Sequence, residues 1–210
     1  MSGGQESLAR LVESEGNAPR IVEAFRSVAR EDFVPPQARW EAYSDRPIGI
    51  LERQTTSQPS LIARMIDCAA IEPDDRVLEI GTGFGFQTAL LARLAREVIS
   101  IERHASIAEA ARENLERAGL SNVEVVVGDG WKGRAETAPY DAIIVSAGAS
   151  DIPGALAEQL VDGGRLVIPL ANSRGDDVYL FRKQGEDLKQ VRLVTPARFV
   201  PLVPDDPQKR

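Results

Sequence analysis

An apolar segment that runs directly into three closely spaced glycines is the feature that most restricts the fold of this chain. The segment 76–80 has the composition of a buried strand, and glycines follow at positions 81, 83 and 85. Glycine lets the backbone turn sharply and approach a ligand where a Cβ would collide. A helix that begins after such a turn points its free amides at that ligand. The pattern therefore predicts a strand–turn–helix unit that cradles a nucleotide.

Two acidic residues follow the glycines, at the ends of the next two apolar segments. Glu102 lies 21 residues after Gly81, and a carboxylate at this spacing reaches a ribose diol in nucleotide-binding folds. Asp129 follows the apolar segment 123–127 and places a carboxylate where an adenine amino group can donate to it. A glycine-rich turn with solvated acids is the alternative, but the succession of three strand ends favours a binding site.

The spacing of the glycines distinguishes between adenosine cofactors. Dinucleotide sites use Gly-x-Gly-x-x-Gly or Ala, and the position of that third small residue is Phe86 in this chain. The small residue is Gly85 instead, and the loop carries no lysine or arginine for a phosphate. The pattern therefore favours S-adenosyl-L-methionine, which leaves S-adenosyl-L-homocysteine, over NAD. We expect this cofactor to be bound by Glu79, Gly81, Thr82, Gly83, Gly85, Glu102, Asp129 and Gly130.

The composition is that of one globular unit. A chain of 210 residues with 43% hydrophobic content is long enough to bury a full core. We expect a single domain over 1–210, with a cap and acceptor-site segment over 1–70, a cofactor-binding core over 71–172 and C-terminal strands and tail over 173–210. Because the net charge is −7 and the chain has no basic stripe, nucleic acid is not an expected partner.

Other classes of protein are disfavoured by what the chain lacks. Its apolar runs are too short to cross a bilayer, and its N-terminus lacks a basic region followed by an apolar one, so we expect a cytoplasmic, soluble monomer. With one histidine, His104, and one cysteine, Cys68, we expect neither a metal site nor a Ser-His triad. Cys68 lies on an apolar helical stretch and is expected to be buried.

The apolar periodicity predicts alternating helices and strands. Strands are predicted over 76–80, 98–102, 123–127, 140–146, 164–170, 178–182 and 191–195. Helices are predicted over 19–29, from Ser57 onward, and over 86–95, 105–118 and 153–161. Continuously apolar strands are typical of a parallel sheet covered on both faces, and the last two strands resemble an antiparallel hairpin around Gly185. The fold class is therefore doubly wound α/β and Rossmann-like, mostly parallel, with an N-terminal helical cap and late antiparallel strands.

The scarcity of general bases favours an acceptor that needs none. A carboxylate is already ionised at neutral pH, since its reference pKa is ~3.9, and it can displace a methyl group from a sulfonium directly. The enzyme must then align two reactants, which can supply roughly 7–11 kcal/mol. The segment 54–59 places three hydroxyls, from Thr55, Thr56 and Ser57, at a predicted helix start that favours an anion. Taken alone, such a segment is more often an N-cap.

Several segments occur in a characteristic order along the chain. They are Phe33-Val34-Pro35-Pro36, Asp45-Arg46-Pro47-Ile48-Gly49, Gln54-Thr55-Thr56-Ser57-Gln58-Pro59, Val77-Leu78-Glu79-Ile80-Gly81-Thr82-Gly83, Gly128-Asp129-Gly130 and Arg198-Phe199-Val200-Pro201-Leu202. Over nearly its whole length the chain thus resembles the protein-L-isoaspartate (D-aspartate) O-methyltransferases. The glycine motif is shared by many methyltransferases, whereas the segments at 54–59 and 198–202 are more specific.

The resemblance implies a role for individual residues. It implies that Ser57 is the active-site residue beside the acceptor carboxylate. It also implies that Glu102 binds the ribose of the cofactor and that Asp129 and Gly130 bind the adenine. The segment 198–202 then helps to close the peptide site. We expect the substrate to contact Thr55, Thr56, Ser146, Arg198 and Val200.

The chain departs from the family pattern on the acceptor side. The family usually reads Pro-Ile-Gly-x-Gly-Gln-Thr-Ile-Ser-Gln-Pro, whereas here 50–53 makes this stretch two residues longer and removes the glycine before Gln54. Thr56 replaces the usual apolar residue, and Ser146-Ala147-Gly148 stands where Thr-Ala-Ala is common. The cofactor half of the site keeps the family residues.

The resemblance also implies an activity. It indicates a class I S-adenosylmethionine-dependent enzyme that methylates the α-carboxylate of L-isoaspartyl residues in damaged proteins. Isoaspartyl-containing peptides and unfolded protein segments are then the expected partners. The ester collapses to a succinimide, which reopens partly to aspartate. Two alternatives are a related O-methyltransferase that modifies an aspartate in a dedicated peptide, and a non-catalytic peptide-binding module.

Overall fold

The computed structural model describes residues 3–205, which are built around one seven-stranded sheet. A short ribbon of β1 (Ile48–Gly49) and β2 (Thr55–Thr56) precedes it. The sheet strands are β3 (Arg76–Ile80), β4 (Glu97–Glu102), β5 (Val123–Val127), β6 (Tyr140–Val145), β7 (Leu160–Asn172), β8 (Gly175–Gln184) and β9 (Asp187–Ala197). Their order is β5-β4-β3-β6-β7-β8-β9. Strands β3 to β7 run parallel, whereas β8 and β9 are antiparallel at one edge.

Six α-helices accompany the sheet over the described residues. They are α1 (Gly3–Ser14), α2 (Pro19–Ser27), α3 (Pro59–Ala69), α4 (Phe86–Ala92), α5 (Ala105–Arg117) and α6 (Gly154–Glu158). Between residues 3 and 205 no helix has the length and apolar character needed to span a membrane. Cys68, on α3, is buried as predicted, and burial raises the pKa of its thiol.

The core lies on both faces of the sheet because successive strand residues point to opposite sides. Val77 packs into an apolar cluster that contains residues of α1 to α5. Its neighbour Leu78 packs into a second cluster, with Leu156 of α6 and Tyr140. Val77 and Leu78 are both fully buried, so β3 is covered on both faces of the sheet rather than on one. This arrangement confirms the doubly wound, mostly parallel α/β fold.

Most predicted elements are confirmed, whereas several boundaries are wrong. The strands predicted over 76–80 and 123–127 match β3 and β5 at both ends. The helix predicted over 153–161 is confined to α6, because β7 begins at Leu160 rather than at 164. Helix α4 ends before 95 because its chain tightens into a turn, with Leu94 N donating to Leu91 O.

The N-terminal cap and the late hairpin are present in more elaborate form than predicted. The cap contains α1 in addition to α2, with Leu8, Ala9 and Val12 of α1 buried at helical spacing. The hairpin turns at Gly185, as predicted, but its strands β8 and β9 extend well beyond 178–182 and 191–195. Helix α3 begins at Pro59 rather than Ser57, because Thr55 and Thr56 pair with β1.

The strand order places the predicted cofactor residues at one edge of the sheet. The glycine turn follows β3, Glu102 ends β4, and Asp129 lies just after β5. In the parallel register Ile80 is opposite Ile101, and Glu102 is opposite Val127, so the three carboxyl ends are adjacent. β3 has β4 on one side and β6 on the other, which is the switch point where ligands bind in open α/β sheets.

Candidate active site

The turn after β3 exposes bare backbone to a cavity. Gly81, Gly83 and Gly85 have φ values of 94°, 54° and 93°, a region that strongly favours glycine. A Cβ on Gly81 would lie 3.4 Å from the Cβ of Ser146, at the end of β6. A Cβ on Gly83 would lie 3.7 Å from Cδ1 of Ile50. The turn thus presents glycine backbone to the cavity at positions 81 and 83, beside Thr82 and Phe84, which also line it.

Glu102 forms the side of the cavity next to this turn. Its carboxylate accepts hydrogen bonds from the backbone N–H of Gly83 at 3.0 Å and from that of His104 at 3.1 Å. Each carboxylate oxygen has a further lone pair. Glu102 is therefore fixed in position and can accept hydrogen bonds from a ligand diol.

A cavity of about 520 Å³ lies over the glycine turn. This volume is in the range of small-molecule and cofactor sites, roughly 300–1,000 Å³. The structure brings ten of the predicted site residues to its wall. They are Thr55, Thr56, Ser57, Gly81, Thr82, Gly83, Glu102, Gly130, Ser146 and Val200.

A second cavity, of about 290 Å³, adjoins the first. Four residues line both cavities and are called here the junction residues: Thr55, Ser57, Ser146 and Val200. Arg198, also predicted to contact substrate, lines only the second cavity, together with Arg64. The larger cavity is thus a candidate cofactor site, and the smaller one is a candidate site for the acceptor.

Three predicted cofactor residues do not line the larger cavity. A Cβ on Gly85 would contact Leu115 and Phe33, so Gly85 packs against the core. The carboxylate of Asp129 accepts hydrogen bonds from the backbone N–H of Trp131 and of Asp205 and is nearly covered. Glu79 is fully buried behind the turn.

Glu79 is the centre of a buried hydrogen-bond network. Its Oε1 accepts from Gln87 Nε2 at 2.9 Å, and its Oε2 accepts from Thr88 Oγ1 at 2.5 Å and Ser100 Oγ at 2.6 Å. Because Ser100 donates to Glu79, the hydroxyl of Thr82, 2.6 Å from Ser100, donates to Ser100. Burial raises the pKa of Glu79 to about 7, although these hydrogen bonds oppose the shift. Glu79 therefore supports the turn from behind.

The raised pKa of Glu79 predicts that the protein becomes less stable as the pH rises through neutrality. Between the unfolded and folded pKa values the folded state binds more protons, so the free energy of unfolding falls with increasing pH. In the parent protein we expect the contribution of Glu79 to lower the free energy of unfolding by about 2 kcal/mol between about pH 5 and about pH 8. Glu79→Gln should remove this decrease. Urea unfolding at both pH values measures it, and Glu186→Gln, at an exposed turn, is the control. Equal pH dependence in Glu79→Gln and the parent protein would contradict the prediction.

A fully buried arginine, Arg30, fixes the segment that contains Thr56 and Ser57. Nη2 of Arg30 donates to Thr56 Oγ1 at 3.0 Å and to the carbonyl of Ser57 at 3.0 Å. The same guanidinium donates to the carbonyls of Ala42, Ser44 and Arg46. Burial lowers the pKa of Arg30 to about 10, so its positive charge persists at neutral pH. The oxygen of Thr56 therefore accepts from Arg30, and its proton is directed to the carbonyl of Ser57 at 3.4 Å, so Thr56 offers no free donor and Ser57 lies next to a buried cation.

The first two positions of α3 offer no amide to a substrate anion, contrary to the sequence prediction. Pro59 has no N–H, and the backbone N–H of Ser60 donates to Asp45 Oδ1 at 2.9 Å. Ser60 Oγ donates to the other carboxylate oxygen of Asp45 at 2.8 Å. Asp45 thus occupies the helix N-terminus. The hydroxyls of the junction residues, rather than the amides of α3, remain for an acceptor carboxylate.

The longer segment 50–53 forms the loop between β1 and β2. Ile50 and Arg53 line the larger cavity, and Ile50 lies against Gly83. Glu52 and Arg53 both adopt positive φ, 54° and 58°, without being glycine. Ser106 Oγ donates to Glu52 at 2.9 Å and ties the loop to α5. The two-residue expansion therefore alters the wall of the larger cavity.

Sequence reasoning missed Arg30, Asp45 and Gln87. Gln87 stands out as a polar residue in the apolar helix that follows the glycine turn, and this contrast is a signal that could have found it. No local signal identifies Arg30, because four of its acceptors are backbone carbonyls 12 to 27 residues away. Asp45 likewise caps a helix 15 residues away.

The position of the glycine turn and cavity at the switch point defines a class I methyltransferase fold. The family described as protein-L-isoaspartate(D-aspartate) O-methyltransferase matches residues 4–206. A protein-L-isoaspartate O-methyltransferase of Koribacter versatilis (strain Ellin345) is 46% identical over 184 residues, covering 88% of this chain and 82% of the relative. The chain therefore belongs to the protein-L-isoaspartate(D-aspartate) O-methyltransferase family.

Solved structures agree with this assignment. A protein-L-isoaspartate O-methyltransferase structure superposes with a TM-score of 0.79 at 32% identity, covering 94% of this chain and 67% of that one. A structure from Plasmodium falciparum, in complex with S-adenosyl-L-homocysteine, has a TM-score of 0.82 at 22% identity. The match covers 96% of this chain and 99% of that one. The second comparison supports the fold.

Proposed function

We propose that this chain transfers a methyl group from S-adenosyl-L-methionine to the α-carboxylate of L-isoaspartyl residues in proteins. One observation carries the proposal. Two cavities meet at a wall of three hydroxyl-bearing side chains and one apolar side chain, the four junction residues. One cavity has the glycine turn and Glu102 of a cofactor site. The other is lined by Arg198, which suits an anionic peptide, and by Arg64, which is paired with Glu15.

The larger cavity fits the cofactor in shape and in chemistry. Gly81 and Gly83 leave space that a Cβ would reduce, and Glu102 offers acceptors for ribose hydroxyls. Gly130 lines the same cavity. The turn at 81–85 carries no cation for a phosphate, which suits a cofactor without phosphate. When bound, S-adenosyl-L-methionine supplies a sulfonium methyl group.

The residues at the junction align the acceptor and need not remove a proton. An α-carboxylate is already ionised at neutral pH, so its oxygen attacks the methyl carbon without a general base. The hydroxyl of Ser57 donates to the carboxylate, and the buried charge of Arg30 beneath it favours the anion. Binding at the junction places the reacting atoms in line, which is the main source of acceleration for such a reaction.

The C-terminal segment closes the site over the reactants. Gly148 N donates to the carbonyl of Val200, and Leu202 N donates to the carbonyl of Gly148, both at 2.8 Å. The segment 200–203 lines the larger cavity. A closed apolar cover excludes water, which protects the methyl donor from hydrolysis and strengthens the polar contacts inside.

Methyl transfer to matched peptides tests the proposed function. Two peptides of the same sequence, one with an isoaspartyl and one with an aspartyl linkage, are incubated with methyl-labelled cofactor. The expected result is base-labile label in the isoaspartyl peptide alone. Equal labelling of both peptides would contradict repair specificity. Label confined to one dedicated aspartyl peptide would favour a maturation enzyme, and cofactor binding without any transfer would favour a non-catalytic module.

A second prediction concerns the cofactor half of the site. Glu102→Gln replaces one acceptor oxygen by an NH₂ group that opposes the N–H of Gly83 and removes a charged acceptor for the ribose. We expect the Kd for S-adenosyl-L-homocysteine to rise by about 10- to 100-fold, the effect of losing a charge-assisted hydrogen bond. Calorimetric titration measures this, with exposed Glu109→Gln as the control. An unchanged Kd in Glu102→Gln would remove Glu102 from the cofactor site.

A further inference from the structure

Gln87 connects the buried carboxyl of Glu79 to the acceptor side of the active site. Its side chain is 7% exposed and lies at the first turn of α4. Nε2 donates to Glu79 Oε1 at 2.9 Å and to Ser146 Oγ at 2.8 Å. An amide NH₂ has two hydrogens, and the two acceptors use both of them. Gln87 is thus the link through which this network reaches a junction residue.

The carboxylate of Glu79 fixes which way the Gln87 amide faces. The structure directs the NH₂ group of Gln87, and not its carbonyl, toward Glu79, and the ionised form of Glu79 offers only acceptors to it. The other oxygen of Glu79 is already occupied by the hydroxyls of Thr88 and Ser100. Both of these donors are fully buried and neither lines a cavity, so Oε1 is the oxygen of Glu79 that remains for the Gln87 amide.

The orientation of Gln87 determines the direction of the Ser146 hydroxyl proton. A serine hydroxyl has a single proton, and Ser146 Oγ accepts from Gln87 rather than donating to it. The proton must therefore point elsewhere, and Ser146 lines both cavities at the junction. An acceptor carboxylate bound there has two oxygens, which can receive one donor from Ser57 and one from Ser146.

We propose that Gln87 is a positioning residue for the acceptor: it holds Ser146 so that the hydroxyl of Ser146 donates to the substrate carboxylate at the junction. The proposal rests on the proposed function, since it assigns a partner to the same carboxylate. That carboxylate loses its charge as the methyl group arrives, so a donor to it contributes more to peptide binding than to the rate of the chemical step. The effect should appear mainly in KM for the peptide.

A double-mutant cycle tests the proposal. Ser146→Ala and Gln87→Met should each lower kcat/KM for an isoaspartyl peptide by about tenfold, mainly through KM. Because Gln87 acts through Ser146, Gln87→Met should cause no further loss in the Ser146→Ala background. Ser146→Thr, which keeps the hydroxyl, should retain the activity. Gln87 and Ser146 also line the larger cavity, so the Kd for S-adenosyl-L-homocysteine is measured in every variant, and a rise in Kd that matches the loss of kcat/KM would overturn the proposal.

Thr88→Val separates this role from a purely structural one. It also removes a hydrogen bond to Glu79, but Thr88 is fully buried and does not line either cavity. We expect its kcat/KM to stay within about twofold of the parent. If Gln87→Met does not fold, Gln87→Asn, whose shorter side chain does not span both acceptors, takes its place in the cycle.

The outcomes distinguish the two proposals. If the losses of kcat/KM in Gln87→Met and Ser146→Ala add in the double variant, or if Thr88→Val loses as much kcat/KM as Gln87→Met, the proposed role of Gln87 is overturned. The proposed function is left intact. A parent protein that methylates no isoaspartyl peptide would overturn both. A loss of kcat/KM in each single variant, with no further loss in the double variant, supports the positioning role of Gln87.

Discussion

Arg30→Met is expected to lower the free energy of unfolding by about 3–5 kcal/mol and to lower Tm by roughly 10 °C. The guanidinium is fully buried, and the four hydrogens of Nη1 and Nη2 are shared among five acceptors, Thr56 Oγ1 and four backbone carbonyls. Methionine fills much of the volume but leaves all five acceptors without this donor. Their desolvation is then uncompensated, which is the main origin of the loss.

Thermal and urea unfolding of Arg30→Met measure this loss of stability. Two further variants show whether it comes from the buried contacts of Arg30. Arg39→Met removes an exposed arginine from the neighbouring 3₁₀ turn and should change stability by less than about 0.5 kcal/mol. Arg30→Lys keeps the charge but has fewer donors, so it should lie between the parent and Arg30→Met. Equal stability of Arg30→Met and Arg39→Met would show that the five contacts do not support the fold.

Ser57→Ala is expected to lower kcat/KM for an isoaspartyl peptide by about 100-fold, because loss of the donor weakens peptide binding and also lets the bound carboxylate leave the line of attack, which lowers kcat. The backbone of this residue is fixed by Arg30, so removal of the hydroxyl should leave the segment in place. The Kd for S-adenosyl-L-homocysteine should change little, since the glycine turn and Glu102 are untouched. A selective loss of turnover would therefore identify Ser57 as part of the acceptor site.

Steady-state kinetics and calorimetry on the same preparation test the Ser57 prediction. Ser121→Ala, at an exposed position before β5, controls for the loss of a serine hydroxyl. If Ser57→Ala keeps the parent rate, Ser57 does not act on the acceptor. If the cofactor Kd rises in parallel with the loss of turnover, Ser57 acts on the cofactor side instead.

The parts of the fold that follow from local periodicity could be predicted from the sequence. Strand β3 and the glycine turn are adjacent in the chain, and the positive φ at Gly81 needs no distant partner. Glu102 and Asp129 lie at neighbouring strand ends because parallel strands align their carboxyl ends. Local sequence patterns therefore place the glycine turn and Glu102 at the candidate cofactor cavity, whereas Gly85 and Asp129 do not line it.

The acceptor half could not be predicted in the same way, because its contacts join distant segments. The start of α3 has the local pattern of an anion site, but Asp45, from a separate loop, occupies its amide. Thr56 looks like a free hydroxyl in the sequence, and the structure commits it to Arg30. On the cofactor side, long-range packing had the same effect: Glu79 precedes the glycines as a cofactor ligand would, yet it is fully buried behind the turn.

A structure of the protein with S-adenosyl-L-homocysteine and an isoaspartyl peptide tests the central geometric claim most directly. We expect the sulfur of the cofactor to lie at the junction. A carboxylate oxygen of the peptide should lie about 3–3.5 Å from the position of the transferred methyl group and in line with the S–C bond. The hydroxyl of Ser57 should lie within hydrogen-bond distance of that carboxylate. A peptide bound away from Ser57, or a sulfur that faces away from the junction, would contradict it.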